Sequence, residues 1–148
     1  MKISTKGRYG LRILMDLALH QSEKPRLIRD IAKSQQISEK YISRLVIALR
    51  KAGMIRSVRG VNGGFHIAMK PEDITLLDVI EVMEGPLSIV DCVSAPKKCV
   101  HSESCAPREV WCKLNDEIRE LMRGTTLADI LTSYEKKNAT NGDMDYCI

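Results

Sequence analysis

The sequence contains few aromatic residues and no long uninterrupted apolar run. One Trp, one Phe and four Tyr among 148 residues are few for the core of a β-sandwich or β-barrel, so we expect an aliphatic, helical core. The most apolar stretch, residues 11–19, is interrupted by Arg12 and Asp16. It is therefore too short to span a bilayer and does not resemble a signal peptide. We expect a soluble, cytoplasmic protein with no membrane partner.

Signatures of the common enzyme classes are also missing. The sequence has no HExxH motif, no phosphate-binding glycine loop and no recognisable Ser, His and Asp set for nucleophilic catalysis. Its three histidines, at positions 20, 66 and 101, share no spacing that is typical of metal ligands. We therefore predict that the protein is not an enzyme.

Acidic residues are scarce in the first half of the chain. Residues 1–70 contain 15 Lys and Arg but only 4 Asp and Glu, a net charge of +11, whereas residues 71–148 have a net charge of −7. A basic surface attracts polyanions because each phosphate that it neutralises releases condensed counterions. The uneven distribution favours double-stranded nucleic acid as the partner of the first half over a basic surface that serves only solubility.

Apolar periodicity predicts three helices in the first half. Apolar residues recur at helical spacing in residues 11–18, 28–32 and 42–49. A tight polar turn at residues 35–37 separates the last two stretches, and Ser38 is a good N-cap for the third helix. This pairing of a short helix, a tight turn and a second helix is typical of a helix-turn-helix.

A glycine-rich hairpin is predicted directly after these helices. Gly53 is typical of the residue that follows a helix end. Two strands, residues 54–58 and 65–69, flank residues 59–64, which include three glycines that tolerate positive φ. The order of these elements predicts a winged helix-turn-helix, a mainly α fold with a small β-hairpin as its wing.

The third helix and the wing contain residue types that contact DNA. Ile42, Leu45, Val46 and Leu49 form the buried stripe of this helix, which leaves its polar residues for the outer face. A recognition helix reads base edges in the major groove, and arginine is attracted to a narrow minor groove. The candidate DNA contacts are Ser38, Lys40, Tyr41, Ser43 and Arg44 on the helix, and Arg56 and Arg59 on the wing.

The second half is predicted to be helix, loop and long helix. A helix before Gly85 is followed by a loop, by a long helix from about Pro107 to Arg123, and by a short helix from Thr126 to about Tyr134. One side of the long helix is apolar: Val110, Trp111, Leu114, Ile118, Leu121 and Met122. We divide the chain into a DNA-binding domain (residues 1–84), a cysteine loop (85–106), the long and short terminal helices (107–136) and a disordered tail (137–148).

Four of the five cysteines lie within residues 92–112, at spacings of x6, x5 and x6. The absence of a CxxC pair argues against a zinc ribbon, and disulfides are uncommon in a cytosolic chain. Three thiolates on one loop, Cys92, Cys99 and Cys105, are able to converge on one iron–sulfur cluster. Redox-active or inert thiols are the alternatives. Cys112 also fits the interior as a small hydrophobe.

Several short blocks indicate a family. The chain opens with MKISTKGRY, continues with QIS at residues 36–38 and LRKAG at residues 49–53, and has SVRG followed by GGF in its hairpin. Over residues 1 to about 135 it resembles the winged-helix regulators that include IscR, NsrR and CymR. The resemblance implies a homodimeric transcription factor, a repressor, in which the long helix pairs two subunits. It also implies that Arg59 enters the minor groove. Ser43 replaces the glutamate of IscR-like members, which leaves the preferred operator open.

The resemblance also implies a cofactor. Some branches of the family hold a cluster on three cysteines after the wing, and Cys92, Cys99 and Cys105 match that order with one extra residue in the first gap. We therefore predict a [2Fe-2S] cluster that sets operator affinity. The histidine that IscR-like members use as fourth ligand is replaced by Arg108, which has no lone pair to give. The candidate fourth ligands are Glu109 and Cys112, ahead of Glu103 and His101. The alternative is a CymR-like regulator without a cluster, controlled by a partner protein or by thiol redox state.

Overall fold

The computed structural model describes residues 2–143, and the predicted winged helix-turn-helix is confirmed. Its elements are α1 (Thr5–Leu19), α2 (Ile28–Gln35), α3 (Glu39–Lys51), β1 (Ile55–Val58), β2 (Gly64–Ile67), α4 (Leu76–Glu84), α5 (Asp91–Ser94), α6 (Ala106–Arg123) and α7 (Leu127–Asp143). None of the helices in the described part of the chain combines the length and apolar character needed to cross a bilayer.

Side-chain caps fix where the helices begin, as the sequence predicts. The hydroxyl of Ser38 accepts a hydrogen bond from the Tyr41 amide (3.3 Å) at the start of α3. Thr75 and Asp78 form a reciprocal capping box at the start of α4. Gln36 has a φ of 55°, the left-handed conformation that ends α2 and makes the turn before α3 tight.

The wing is anchored to the chain that precedes α2. Strands β1 and β2 pair antiparallel, with Ile55 opposite Ile67. The backbone of Arg26 extends this sheet, since its amide and carbonyl both hydrogen-bond to Phe65 at 2.9 Å. A Cβ atom at Gly64 would overlap the Arg26 carbonyl, so glycine is needed for this close approach. The backbone hydrogen bonds between Arg26 and Phe65 therefore fix the orientation of the wing.

A single apolar core lies between α1, α2, α3, α4 and the base of the hairpin. Its most buried members include Ile13, Leu14, Ile31, Ile42, Leu49 and Ile74. Helices α1 and α4 approach closely at Gly7 and Gly10, where a side chain would overlap Glu84 and Met83. The carboxylate of Glu84 accepts hydrogen bonds from the amides of Ser4 (2.8 Å) and Gly7 (3.2 Å). It thereby satisfies free donors at the start of α1.

Two segments are more regular than the sequence predicts. The sequence predicts that the terminal helix ends near Tyr134 and that residues 137–148 are disordered, but α7 continues to Asp143. Residues 135–139 include good helix formers and no proline or glycine, so the helix extends beyond its apolar side. Residues 144–148 lie outside the described residues. The cysteine loop contains α5 and a single 3-10 turn at residues 96–98.

Candidate nucleic-acid interface and cysteine segment

The outer face of α3 is polar and accessible. Lys40, Ser43 and Arg44 are exposed and Tyr41 is half-buried, while the four predicted core residues of this helix are buried. The Ser43 hydroxyl donates to the carbonyl of Glu39 (2.8 Å), and the Ser38 hydroxyl caps the helix. Both hydroxyls keep lone pairs for a further partner. The structure therefore brings all five predicted helix residues to one end or one side of α3.

Tyr41 is held in place by residues that the sequence analysis did not identify. Its ring packs edge-on against Tyr9 of α1, with ring centres 5.9 Å apart. The guanidinium carbon of Arg12 lies 5.4 Å from the centre of the Tyr9 ring, and its Nε donates to the Gln35 side chain (3.1 Å). These contacts join α1, α2 and α3 beneath the polar face. The sequence offers one signal for this contact: it has few aromatic residues, and two of them meet here.

The wing presents two exposed arginines beyond the core. Arg56 lies on β1 opposite His66, and Arg59 lies in the turn. A Cβ atom at Gly63 would overlap the carbonyls of Val58 and Gly60, so the tight turn requires glycine. Neither arginine forms an ion pair with any described residue. Their charge is therefore free to meet an anionic partner.

A buried carboxylate joins α1 to α2 and to the wing. Asp16 has no exposed surface, and it accepts hydrogen bonds from Arg26 Nε (2.8 Å), Gln35 Nε2 (3.1 Å) and the Ser34 hydroxyl. Burial by itself would raise the pKa of Asp16, but these three hydrogen bonds and the charge of Arg26 outweigh it, so that the pKa lies below the usual value of 3.8. The sequence signal was a lone carboxylate on an apolar helix face, which requires buried partners.

The three predicted cysteine ligands do not form a common site within the described part of the chain. Cys92 lies in α5, Cys99 follows the 3-10 turn, and Cys105 immediately precedes α6. All three, like Cys112, are half-buried free thiols. Among residues 2–143 no group of three or more His, Cys, Asp or Glu side chains is placed to hold a metal ion. To hold a cluster, the predicted ligands would have to move from these positions.

Arg108, which replaces the histidine ligand of IscR-like members, makes a structural contact instead. Arg108 donates its Nε to the Cys92 carbonyl (3.1 Å) and so attaches α5 to α6. Glu109 is exposed and Cys112 is half-buried, and neither belongs to a metal-binding group within the described part of the chain. Cys147 lies outside the described residues.

Polar contacts hold the start of the cysteine loop, residues 85–106, between α4 and α6. Asn115 is only 5% exposed, and its side-chain oxygen accepts from the Ile89 amide (3.2 Å). Arg119 donates to Glu81 (2.5 Å) and to the Leu87 carbonyl (3.2 Å). Glu81 also accepts from the Leu87 amide (3.1 Å). These contacts attach the loop to α4 through Glu81.

One face of α6 is apolar and uncovered. Of the six apolar residues predicted to share a side, only Met122 is buried. Four of the others are well exposed: Val110 (61%), Trp111 (40%), Leu114 (44%) and Leu121 (73%). A row of exposed large apolar side chains is typical of a protein interface.

Comparison with known proteins agrees with this architecture. The family model for Rrf2, described as an iron-dependent transcriptional regulator, matches residues 3–133. The HTH-type transcriptional regulator CymR of Bacillus subtilis is 42% identical over 145 residues, 98% of this chain and 96% of that protein. The structure of CymR, the global cysteine regulator of B. subtilis, has a TM-score of 0.77 at 40% identity, covering 90% of this chain and 98% of that one. The structure of IscR from T. potens has a TM-score of 0.73 at 38% identity, covering 93% and 90%.

Proposed function

The chain belongs to the Rrf2 family of transcriptional regulators, and we propose that it is a repressor that binds a double-stranded DNA operator as a homodimer. The observation that supports this most directly is the shared surface of α3 and the wing. Exposed Lys40 and Arg44 lie on the helix, and Arg56 and Arg59 extend from the hairpin without ion-pair partners among residues 2–143.

In this proposal the helix and the wing have separate tasks. The start of α3 enters the major groove, where Arg44 pairs with a guanine edge and Lys40 contacts phosphate or base. The Tyr41 hydroxyl donates to a phosphate, and the hydroxyls of Ser38 and Ser43 face the same groove. Arg59 enters the minor groove and Arg56 lies beside it.

The apolar face of α6 supports the homodimer. A second copy of the same helix covers large apolar side chains with side chains of the same kind, and a two-fold axis makes this contact self-complementary. Two recognition helices then meet half-sites about one DNA turn apart (~34 Å) on a partly palindromic operator.

A regulator of this kind acts where the chromosome lies. On that ground we propose a cytoplasmic location. Binding of DNA, rather than a chemical reaction, is then its task, and we propose that the protein is not an enzyme.

We propose two alternative forms of control. One is a [2Fe-2S] cluster on Cys92, Cys99 and Cys105, with Glu109 or Cys112 as fourth ligand. The order of the cysteines and the family description as iron-dependent support it. The other is CymR-like control without a cluster, by a partner protein or by thiol redox state. The separated thiols, Arg108 and the similarity to CymR support it.

One preparation distinguishes these two forms of control. Protein purified without oxygen is assayed for iron, acid-labile sulfide and visible absorbance. The cluster form predicts a brown sample that loses its absorbance in Cys92→Ala. The form without a cluster predicts a colourless sample that contains no sulfide.

The DNA-binding proposal is tested by Arg59→Ala. Loss of a minor-groove arginine weakens operator binding by about 1–3 kcal/mol, or roughly 5- to 150-fold. Arg123→Ala on α6 is the matched control, since it removes the same charge from an exposed site far along the chain from the wing. Fluorescence anisotropy with a labelled operator gives both affinities. Equal affinities of Arg59→Ala and the unmodified protein would contradict the proposed role of the wing.

A further inference from the structure

A groove of about 480 Å³ lies where α1, α3 and α4 meet. Its floor is apolar and includes Leu45 and Met83, which are both buried, together with half-buried Ala48 and Val82. Its rim is basic and is formed by Lys6, Tyr41, Arg44 and Lys51. An apolar floor beneath a few polar groups is the usual composition of a small-molecule site, and such sites measure about 300–1,000 Å³.

The charges on the rim have no protein partner. Lys6, Arg44 and Lys51 are exposed, and none of them forms an ion pair with residues 2–143. By contrast, Arg26 and Arg119, which pack inside the molecule, each pair with a carboxylate. Three unpaired cations around one concave surface produce a positive potential that is concentrated at the groove.

We propose that this groove binds an organic anion with an apolar body, a medium-chain carboxylate. The head group would lie among the three cations, and the chain would cover the floor. Duplex DNA is a weaker candidate for the floor, because its convex, phosphate-covered surface reaches the rim but offers no apolar chain to cover the half-buried Ala48 and Val82. The exposed side chain of Ile47 (47%) lengthens the apolar surface along α3.

A bound anion would compete with the operator, and this second step rests on the proposed function. Tyr41 and Arg44 line the groove and are also proposed DNA contacts. A carboxylate that pairs with Arg44 removes it from the major groove, and a chain lying along α3 obstructs the approach of the helix. The regulator would then have a small-molecule input that is separate from its cysteines.

The groove is tested first without DNA. Full-length protein labelled with ¹⁵N is titrated with octanoate, octanol and acetate, and amide shifts are followed by NMR. Octanoate is expected to shift Ala48 and Val82 and to bind more tightly than octanol, which lacks the charge, or acetate, which lacks the chain. Each methylene removed from the chain weakens binding by roughly fourfold at full burial. Equal binding of octanol and octanoate, or no shift in the groove, would overturn the proposal.

A matched pair of variants locates the charge. Lys51→Gln is expected to weaken octanoate binding by roughly two- to fivefold. Lys33→Gln, on the exposed side of α2 and outside the groove, is expected to leave it unchanged. An equal loss in both variants would show that net charge rather than the groove binds the anion. If Lys51→Gln weakens only the operator and octanoate moves no groove signal, the rim contacts DNA alone and the ligand site is wrong.

Competition is measured with a labelled operator at constant ionic strength. Octanoate is expected to displace the operator and acetate to leave it bound. Octanoate that binds the groove without displacing DNA would overturn the competition but not the site. A protein that binds octanoate in the groove and no operator at all would contradict the DNA-binding function while supporting the ligand site.

Discussion

Asp16 is fully buried, and its carboxylate joins α1, the end of α2 and the residue that anchors the wing. The side chains that donate hydrogen bonds to it lie 10 to 19 residues away in the sequence, and no periodicity connects them to it. The sequence predicts a local cap such as Ser38 because donor and acceptor are three residues apart. It does not predict this network, whose members meet only when the helices pack.

Asp16→Asn is expected to destabilise the fold by about 3 kcal/mol at neutral pH, because the neutral amide leaves the largely buried charge of Arg26 without its counterion. The depressed pKa gives the pH dependence its sign. The stabilisation by the carboxylate is fully present above the unfolded value of 3.8 and is lost as pH falls through the lower folded pKa.

Urea unfolding of both proteins at about pH 7 and about pH 2.5 measures this difference, which the linkage predicts to shrink at the lower pH. Asp30→Asn is the control: the side chain of Asp30 is 43% exposed, and its replacement is expected to change stability by less than about 0.5 kcal/mol. A loss that is the same at both pH values would contradict the role of the ionised carboxylate.

At the scale of elements, the sequence predicts helix starts better than helix ends and loop contacts. Ser38 and Thr75 mark the starts of α3 and α4 through their capping side chains. No capping residue identifies the end of α7, so the sequence predicts that this helix ends where its apolar residues end. Asn115 and Arg108 attach the cysteine loop to α6. The periodicity of α6 places both residues on its polar side but does not predict these contacts.

Asn115→Ala is expected to loosen the start of the cysteine loop. The Ile89 amide would lose its acceptor, at a cost of about 1–3 kcal/mol, and residues near 89 would exchange amide hydrogens faster than in the unmodified protein. Hydrogen exchange read by mass spectrometry checks this. Asn138→Ala, on the exposed end of α7, is the matched control. Unchanged exchange around residue 89 in Asn115→Ala would show that the bond does not hold the segment.

At the scale of the whole molecule, the sequence predicts the fold and the polarity of its two halves. The basic N-terminal half became one compact winged helix-turn-helix because its caps, turns and apolar stripes agree with one another. For the candidate DNA interface, the sequence predicts which residues are exposed but not how they are arranged, because exposed residues follow no pattern of apolar packing. The homodimer is implied by the family resemblance, and the apolar side of α6, most of which the single chain leaves uncovered, supports it.

If the proposed homodimer pairs through α6, Leu114→Glu is expected to convert it to monomer, because the substitution places a charge at the middle of the apolar face of α6. Sedimentation equilibrium gives the mass. Val100→Glu is the control, since that side chain is 93% exposed in the cysteine loop and its replacement is expected to leave the mass unchanged. A Leu114→Glu protein with the mass of a dimer would contradict the proposed pairing through α6.

The central claim is that the basic N-terminal half binds duplex phosphates, and the salt dependence of operator affinity tests it most directly. A dimer that neutralises six to ten phosphates loses roughly 10³- to 10⁵-fold in affinity between 50 and 200 mM salt. The account predicts a steep linear fall of log K with log salt, with a slope that becomes shallower by about one for each phosphate contact removed, as in Lys40→Gln. An affinity that does not change with salt would contradict it.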